Sequence, residues 1–349
     1  MNKKLIAVAI AAAVAAPAAM AGDTTLYGKV HVSIDSFDND ADGTDNMQVN
    51  DRGSRLGVKG SEDLGNGLKA IFKYEMSYDV DGGAAITGAR NSYLGLAGDF
   101  GTLLVGRHDS PAKVAFYATG AELLGDSVVQ LTSSNETGGM LNIEETRANN
   151  AIAYVSPSFS GVTAAVAIMP GEGSAATGND GLADGWSAGV MYKGHGLKAG
   201  LGYEDTDDLG GTNTGMTLYN IGATYSIDAF TFGGVYQNQE AAAGGAESDM
   251  YALVGKAKFG NNEIMALYGK TENNAAQAAA SLAANGAGYG GREGDAFGIA
   301  VAHKMSKRTK VYAAYASKDV DGAATGMASV GSNEYGQGGE FSLGMIHKF

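Results

Sequence analysis

Ser, His and Asp are all present in the chain, but nothing in their spacing would activate any of them. No G-x-S-x-G sets a serine on a sharp strand-to-helix turn. The 5 histidines are scattered, no H-E-x-x-H occurs, and with 0 cysteines no zinc cage can be completed. The chemistry left to these side chains is that of fixed charge. In RLGVKG (55–60), Arg55 and Lys59 alternate with Leu56 and Val58. In TTLYGKVHVSID (24–35), Lys29, His31 and Ser33 oppose Val30, Val32 and Ile34. In RNSYLGL (90–96), Tyr93 opposes Arg90, Ser92 and Leu94. Lys29, Arg55, Arg90 and Arg147 therefore form a set of cations on early, neighbouring segments. Such groups attract and repel ions and hold water; the arrangement needs neither cofactor nor metal.

The segments that carry these cations read as strands. Leu68, Ala70, Phe72, Tyr74 and Met76 share one parity, and Lys69, Lys73 and Glu75 the other. Trp186, Ala188, Val190 and Tyr192 repeat the pattern, as do Tyr251, Leu253, Gly255, Ala257 and Phe259. Period-two alternation marks strands with unlike faces. Helical spacing is confined to a short stretch within 112–125. Sixteen strand candidates start near residues 24, 52, 67, 86, 101, 147, 161, 185, 196, 214, 229, 248, 262, 294, 308 and 339.

Every second connection is short: SEDLGNG (61–67), GDFG (98–101), SPSFSG (156–161), KGHG (193–196), SIDA (226–229) and KFGNN (258–262). The others, among them 36–51, 110–146, 171–184, 270–293 and 318–338, are long and rich in Gly, Asp, Asn and Ala. A soluble sandwich has no reason to gather its short turns at one end. A transmembrane barrel has short periplasmic turns, long external loops and an even strand number. Strands of about ten residues match the bilayer.

Composition fits an exported protein. MNKK, an apolar LIAVAIAAAVAA and Ala19-Met20-Ala21 form a signal peptide over 1–21. Cleavage there removes Lys3 and Lys4 and takes the formal charge from −14 to −16. That acidic balance repels phosphate backbones, so no nucleic acid is expected as a partner. Beyond the leader no apolar run approaches the roughly 18 residues of a membrane helix, so any crossing is by strands.

An Arg or Lys at the lipid midplane costs about 2–4 kcal/mol, so the charged parity is expected inside and the apolar parity outside. A barrel of about sixteen strands leaves an aqueous channel, which puts Lys29, Arg55, Arg90 and Arg147 on one wall of a pore. No sheet edge can stay open in lipid. The final FSLGMIHKF, alternating to its last residue, must therefore pair with the first strand. Phe349 then joins the interfacial aromatic girdle, with His347 near the same interface.

Several blocks resemble the Gram-negative general porin family: TLYGKV (25–30), RGSRLGVKGSEDLGNGLKAIFKYE (52–75), RNSYLGLAGDFGTLLVGR (90–107), NNAIAYVSPSFSG (149–161) and GMIHKF (344–349). The resemblance spans nearly the whole mature chain, in architecture more than in wording from about 170 to 340. It implies an all-β, 16-stranded antiparallel barrel in the outer membrane, assembled as a homotrimer. It implies a single pore domain over 22–349 whose third external loop, 110–146, folds inward as a constriction. The family's basic wall positions fall on Lys29, Arg55, Arg90 and Arg147. Its loop acids fall on Glu122 and Asp126 within AELLGD (121–126), where Ala121 replaces proline and Leu123–Leu124 depart from the usual pattern. Phe349 matches a terminal aromatic read by the barrel-assembly machinery.

The expected function is passive diffusion of ions and small hydrophilic solutes, with a field across the constriction between basic wall and acidic loop. The acidic total predicts a cation preference. A solute-specific channel, a surface adhesin or phage receptor, and an outer-membrane hydrolase are the competing readings. Asp38–Gly43 opens like a calcium loop but has Val49 where the bidentate glutamate belongs; loose divalent binding there would bridge lipopolysaccharide phosphates. GAGYGGREG (286–294) lacks the strand-and-helix context of a phosphate loop, and NNAAQAAASLAAN (273–285) suits a short loop helix.

Overall fold

A computed structural model describes residues 23–39, 44–82, 86, 88–132, 140–141, 143, 146–173, 181–206, 215–242, 244–276, 293–320 and 338–349. The leader at 1–21 lies outside these residues, as do Asp40–Gly43 and 277–292.

The chain runs β1 (Asp23–Asn39), β2 (Thr44–Asp51), β3 (Arg55–Gly65), β4 (Leu68–Ser77), β5 (Gly88–Gly98) and β6 (Gly101–Asp109). A helix, α1 (Pro111–Ala118), precedes β7 (Arg147–Val155), β8 (Val162–Met169), β9 (Gly185–Gly194) and β10 (Leu197–Asp205). Then come β11 (Met216–Ile227), β12 (Phe230–Ala241), β13 (Glu247–Phe259) and β14 (Asn262–Asn273). The last three are β15 (Gly294–Lys304), β16 (Thr309–Val320) and β17 (Gly338–Lys348). Each strand pairs antiparallel with its sequence neighbour, except that β2 and β3 both pair with β1, and β1 pairs with β17 from Lys29↔Lys348 to Asn39↔Gly338. Among the described residues no helix is long and apolar enough to cross a membrane.

The seventeen segments make sixteen staves, because β2 and β3 both pair with β1 and form one interrupted stave. The interruption falls at Arg52-Gly53-Ser54, where Gly53 has φ 68°. This corrects the reading of 36–51 as a loop: β1 runs on to Asn39 and β2 returns from Thr44. The short turns use left-handed residues, for instance Asn66 at φ 51° and Asp228 at φ 50°, types that tolerate this region.

Burial is inverted relative to a soluble protein. His31 and Asp35 are 0% exposed, whereas Leu253 is 67% exposed. Phe341, Leu343 and Met345 of β17 are likewise exposed. The apolar parity therefore faces outward, as expected. One block departs from that reading. Tyr74 pairs with Ser92 but Met76 pairs with Ala89, so Glu75 faces a bulge at Arg90 and Asn91. The extra residue switches parity. Leu94 and Leu96 consequently face out, Tyr93 faces in against His108, and Arg90 still reaches the lumen.

Closure extends to the final residue. The Phe349 N–H donates to the Gly28 carbonyl and the Gly28 N–H donates to the Phe349 carbonyl, both at 3.1 Å. The Phe349 ring lies over Gly28, where a Cβ would be 2.3 Å from the ring and 2.8 Å from the Arg55 carbonyl oxygen. His347 shares a 2.9 Å hydrogen bond with Thr309. Replacing Gly28 by Ala is expected to cost about 1–3 kcal/mol by overpacking. Unboiled gel mobility and thermal melting in detergent would both report a loosened barrel; wild-type behaviour in both would remove this contact from closure.

Candidate functional site

The third long connection folds into the barrel and contacts three arcs of its wall. Ser110 caps α1 by accepting from the Lys113 N–H at 3.2 Å, and Pro111 occupies the first turn, where its missing N–H costs nothing. The helix lies on β9, β10 and β11. Glycines make the close approach feasible: a Cβ on Gly200 would sit 2.0 Å from the Ala115 carbonyl oxygen. Ser187 Oγ accepts from the Ala112 N–H at 3.0 Å, and Thr224 Oγ1 donates to the Thr119 carbonyl at 2.5 Å.

Beyond the helix the loop is held by apolar packing. Leu124, Val128, Val129, Leu131 and Ile143 are buried in one cluster with Met250, Val254, Met265, Leu267 and Tyr312. Those wall residues have inward parity on β13, β14 and β16, so part of the lumen is apolar and covered, where a polar lumen was expected throughout. Leu124 belongs to this seal and Leu123 packs against it. The departure from the porin loop pattern at Leu123–Leu124 thus fixes the loop's path.

The third arc is electrostatic. Three carboxylates each lie between two cations. Asp126 contacts the ammonium of Lys29 and lies 3.6 Å from Arg55. Glu75 lies 2.9 Å from Arg90 and 3.3 Å from Lys73, and accepts from the Tyr27 hydroxyl at 2.8 Å. Asp109 lies 3.0 Å from both Arg147 and Lys113 and accepts from Asn91 at 2.7 Å. The four cations expected on one wall are all brought inward. Lys29 is covered by the loop, and Arg55, Arg90 and Arg147 are partly open.

The two loop acids differ. Asp126 touches the basic wall directly instead of facing it across an opening. Glu122 turns into the loop, where its Oε2 accepts from the N–H of Leu131 at 2.9 Å and of Thr132 at 3.4 Å. Sequence reasoning passed over Glu75, Asp109, Lys73 and Lys113. Glu75 and Lys73 were visible as one parity of β4, but the partner of Asp109 depends on the loop. Arg52 was also missed. It is buried between Asp35 at 2.6 Å and Glu340 at 2.5 Å, tying β1 to β17 across the closing seam. Among the described residues no group of His, Asp and Glu could hold a metal ion.

A closed barrel with such a loop has a matching family model. The model described as Gram-negative porin matches residues 7–323. The chain belongs to the Gram-negative porin family. It is 31% identical over 210 residues to the major outer membrane protein P.IB of Neisseria lactamica, covering 57% of each chain. It is 30% identical over 254 residues to a P.IB of Neisseria meningitidis serogroup A, covering 69% of this chain and 71% of that one. The chain thus spans little more than half the length of the first of these curated relatives. The anion-selective porin from Comamonas acidovorans superposes with a TM-score of 0.75 at 24% identity, over 94% of this chain and 100% of that one. OmpT of Vibrio cholerae, in its trimer form, gives 0.66 at 16%, over 95% of this chain and 100% of that one. These likenesses confirm the fold, an outer-membrane β-barrel.

In this porin the Asp126 contact is insensitive to ordinary pH. Burial opposes ionisation of Asp126, but Lys29 and Arg55 outweigh it and bring its pKa from an ordinary 3.8 to about 2. A carboxylate depressed in the folded state contributes stability above its unfolded pKa and loses it as pH falls through the folded one. The contact should therefore hold between about pH 4 and 8 and release only toward about pH 2. Asp126→Asn leaves Lys29 buried without a counter-charge, an expected loss of about 3 kcal/mol. Thermal melting at neutral pH checks the loss, and convergence of variant and wild type near pH 2 checks the sign.

Proposed function

We propose that the chain forms a water-filled channel for passive diffusion of ions and small hydrophilic solutes across the Gram-negative outer membrane. It works as a homotrimer, with 110–146 as its constriction loop and no catalytic step. The observation that carries this reading is the charged inner wall of Arg55, Arg90 and Arg147 inside a closed barrel whose outer face is apolar. A family of channels, and not of enzymes, agrees with it. Arg107 supports assembly into trimers. It pairs with Ser92 on the outward parity and donates to the carbonyls of Ala89 at 3.1 Å and Arg147 at 3.2 Å. A cation on that face favours a neighbouring protomer over lipid. Lipopolysaccharide on the remaining outer face and recognition of Phe349 by the assembly machinery complete the reading.

Ion preference follows from the waist. Six cations surround three carboxylates there, a surplus of three positive charges. The acidic total of the chain pulls the other way at the mouth, but the narrowest passage dominates permeation, and at 0.1 M salt the Debye length is only about 10 Å. Anions are therefore favoured, against the preference that net charge alone suggests. The field at the waist arises from this surplus of positive charge on the wall, focused by low-dielectric surroundings.

Planar-bilayer recording in a salt gradient tests both points. Conductance with an anion-favouring zero-current potential is expected. Neutralising Arg55 and Arg90 to Gln should move that potential toward cations; an unchanged value would remove both side chains from the permeation path. No conductance at all, with adhesion intact, would favour the surface-receptor reading.

A further inference from the structure

The inner wall also carries an arrangement that stability alone disfavours. Lysine stands directly opposite lysine across neighbouring strands at four places: Lys29 with Lys348, Lys59 with Lys73, Lys193 with Lys198, and Lys304 with Lys310. Like charges in that position destabilise a sheet. All four pairs have inward parity, and most of these residues lie in the half of the barrel nearest the short turns. Lys256 and Lys258 of β13 add to the same end, and Lys256 is within electrostatic reach of Lys258, Lys198 and Lys310 as well as of Glu263.

Compensation is partial. Glu263 lies 2.9 Å from Lys304 and 3.1 Å from Lys310, and stands directly opposite Lys258 across β13 and β14. The Tyr27 ring takes Lys59 at 5.2 Å and Lys73 at 5.7 Å. Lys193, Lys198, Lys256 and Lys258 make no ion pair with any described residue. Near the long connections the described acids include Asp51, Asp79 and Asp81, whereas Asp249 and Asp295 share the outward parity of Tyr251 and Phe297. Lys198 also abuts the underside of the inward loop: a Cβ on Gly120 would be 3.2 Å from its Cδ and 3.3 Å from its Nζ.

We propose that the short-turn end of the lumen is a binding basin for compact multivalent anions, solutes carrying several phosphate, sulfate or carboxylate groups. An anion held there obstructs the passage beneath the loop. Adjacent staves are about 4.8 Å apart, so one small solute spans ammonium groups on neighbouring strands. Its charge replaces lysine–lysine repulsion by attraction. A monovalent anion bridges nothing and passes on. Each ammonium is a mobile point charge with three donors, which suits charge number over exact shape. The inference rests on the channel reading above, and it adds a sidedness that a simple pore does not have.

Sodium tripolyphosphate is a suitable probe in single-channel recording, with orthophosphate as the low-charge comparison. Lys307→Cys in a short turn, biotinylated and capped by streptavidin, reports which way the barrel is inserted. Tripolyphosphate added at the short-turn side should block at a concentration about tenfold lower than from the long-loop side, a difference of about 1.4 kcal/mol. The asymmetry should fade at about 1 M salt, where the Debye length is about 3 Å. Lys198, Lys256 and Lys258 changed together to Ser should remove it, and the same three changed to Arg should keep it. Equal block from both sides of the wild-type channel overturns the inference, as does asymmetric block that survives the Ser replacement. Either result leaves the channel reading standing, whereas absence of conductance defeats that reading itself.

Discussion

Lipid offers no hydrogen bonds, and this constraint organises the molecule. An unpaired backbone group in hydrocarbon costs several kcal/mol, so each stave must have two neighbours and the last must find the first. β17 does so along the whole of its paired length with β1, and Phe349 extends the ladder one residue further through Gly28. Closure then decides the rest. Once the wall is a cylinder, alternate side chains have only two destinations, and only one contains water. The cations gather inside because the outside would not solvate them. Arg52, clasped by Asp35 and Glu340 at the seam, shows the inner side stabilising closure in turn.

Much of this was legible in the residues. Strand starts near 101, 147, 185, 262 and 294 coincide with observed ones, because alternation enforced by lipid on one side and water on the other leaves a strong period. The failures have equally physical causes. FDNDADGTDNMQV reads as a loop because Asp, Asn and Gly dominate it, although Met47 and Val49 share the outward parity and β2 pairs with β1 from Thr44. The bulge opposite Glu75 is invisible because it is set by register between strands, and a single extra residue reverses every later assignment up to Leu96. The inward parity of Lys29 and Arg55 was legible because each alternates with apolar neighbours that must face lipid. The apolar inner patch was hidden, since a stretch such as MYALV gives no sign of what covers its inner parity.

Three unlike interactions hold the inward loop. Helix α1 is placed by glycines and backbone hydrogen bonds, the segment beyond it by an apolar seal, and Asp126 by charge. Apolar packing is unaffected by salt, and the Lys29–Asp126 pair is largely shielded from it, so ionic strength has little purchase on the loop's position. Salt acts instead on the open cations of the wall, which are less shielded.

The electrostatic pattern separates two tasks that one charge could not perform. A carboxylate between two cations reduces their mutual repulsion and fixes both guanidinium or ammonium groups in place. It neutralises only one of them. Glu75, Asp109 and Asp126 repeat this unit along the inner wall, each leaving one net positive charge behind. Fully paired cations would give a stable wall without a field, and unpaired ones would give a field with disordered side chains. Two cations per acid retain order and field together. The cost is a residual repulsion, which a closed barrel can bear because its staves cannot separate without opening the whole ring.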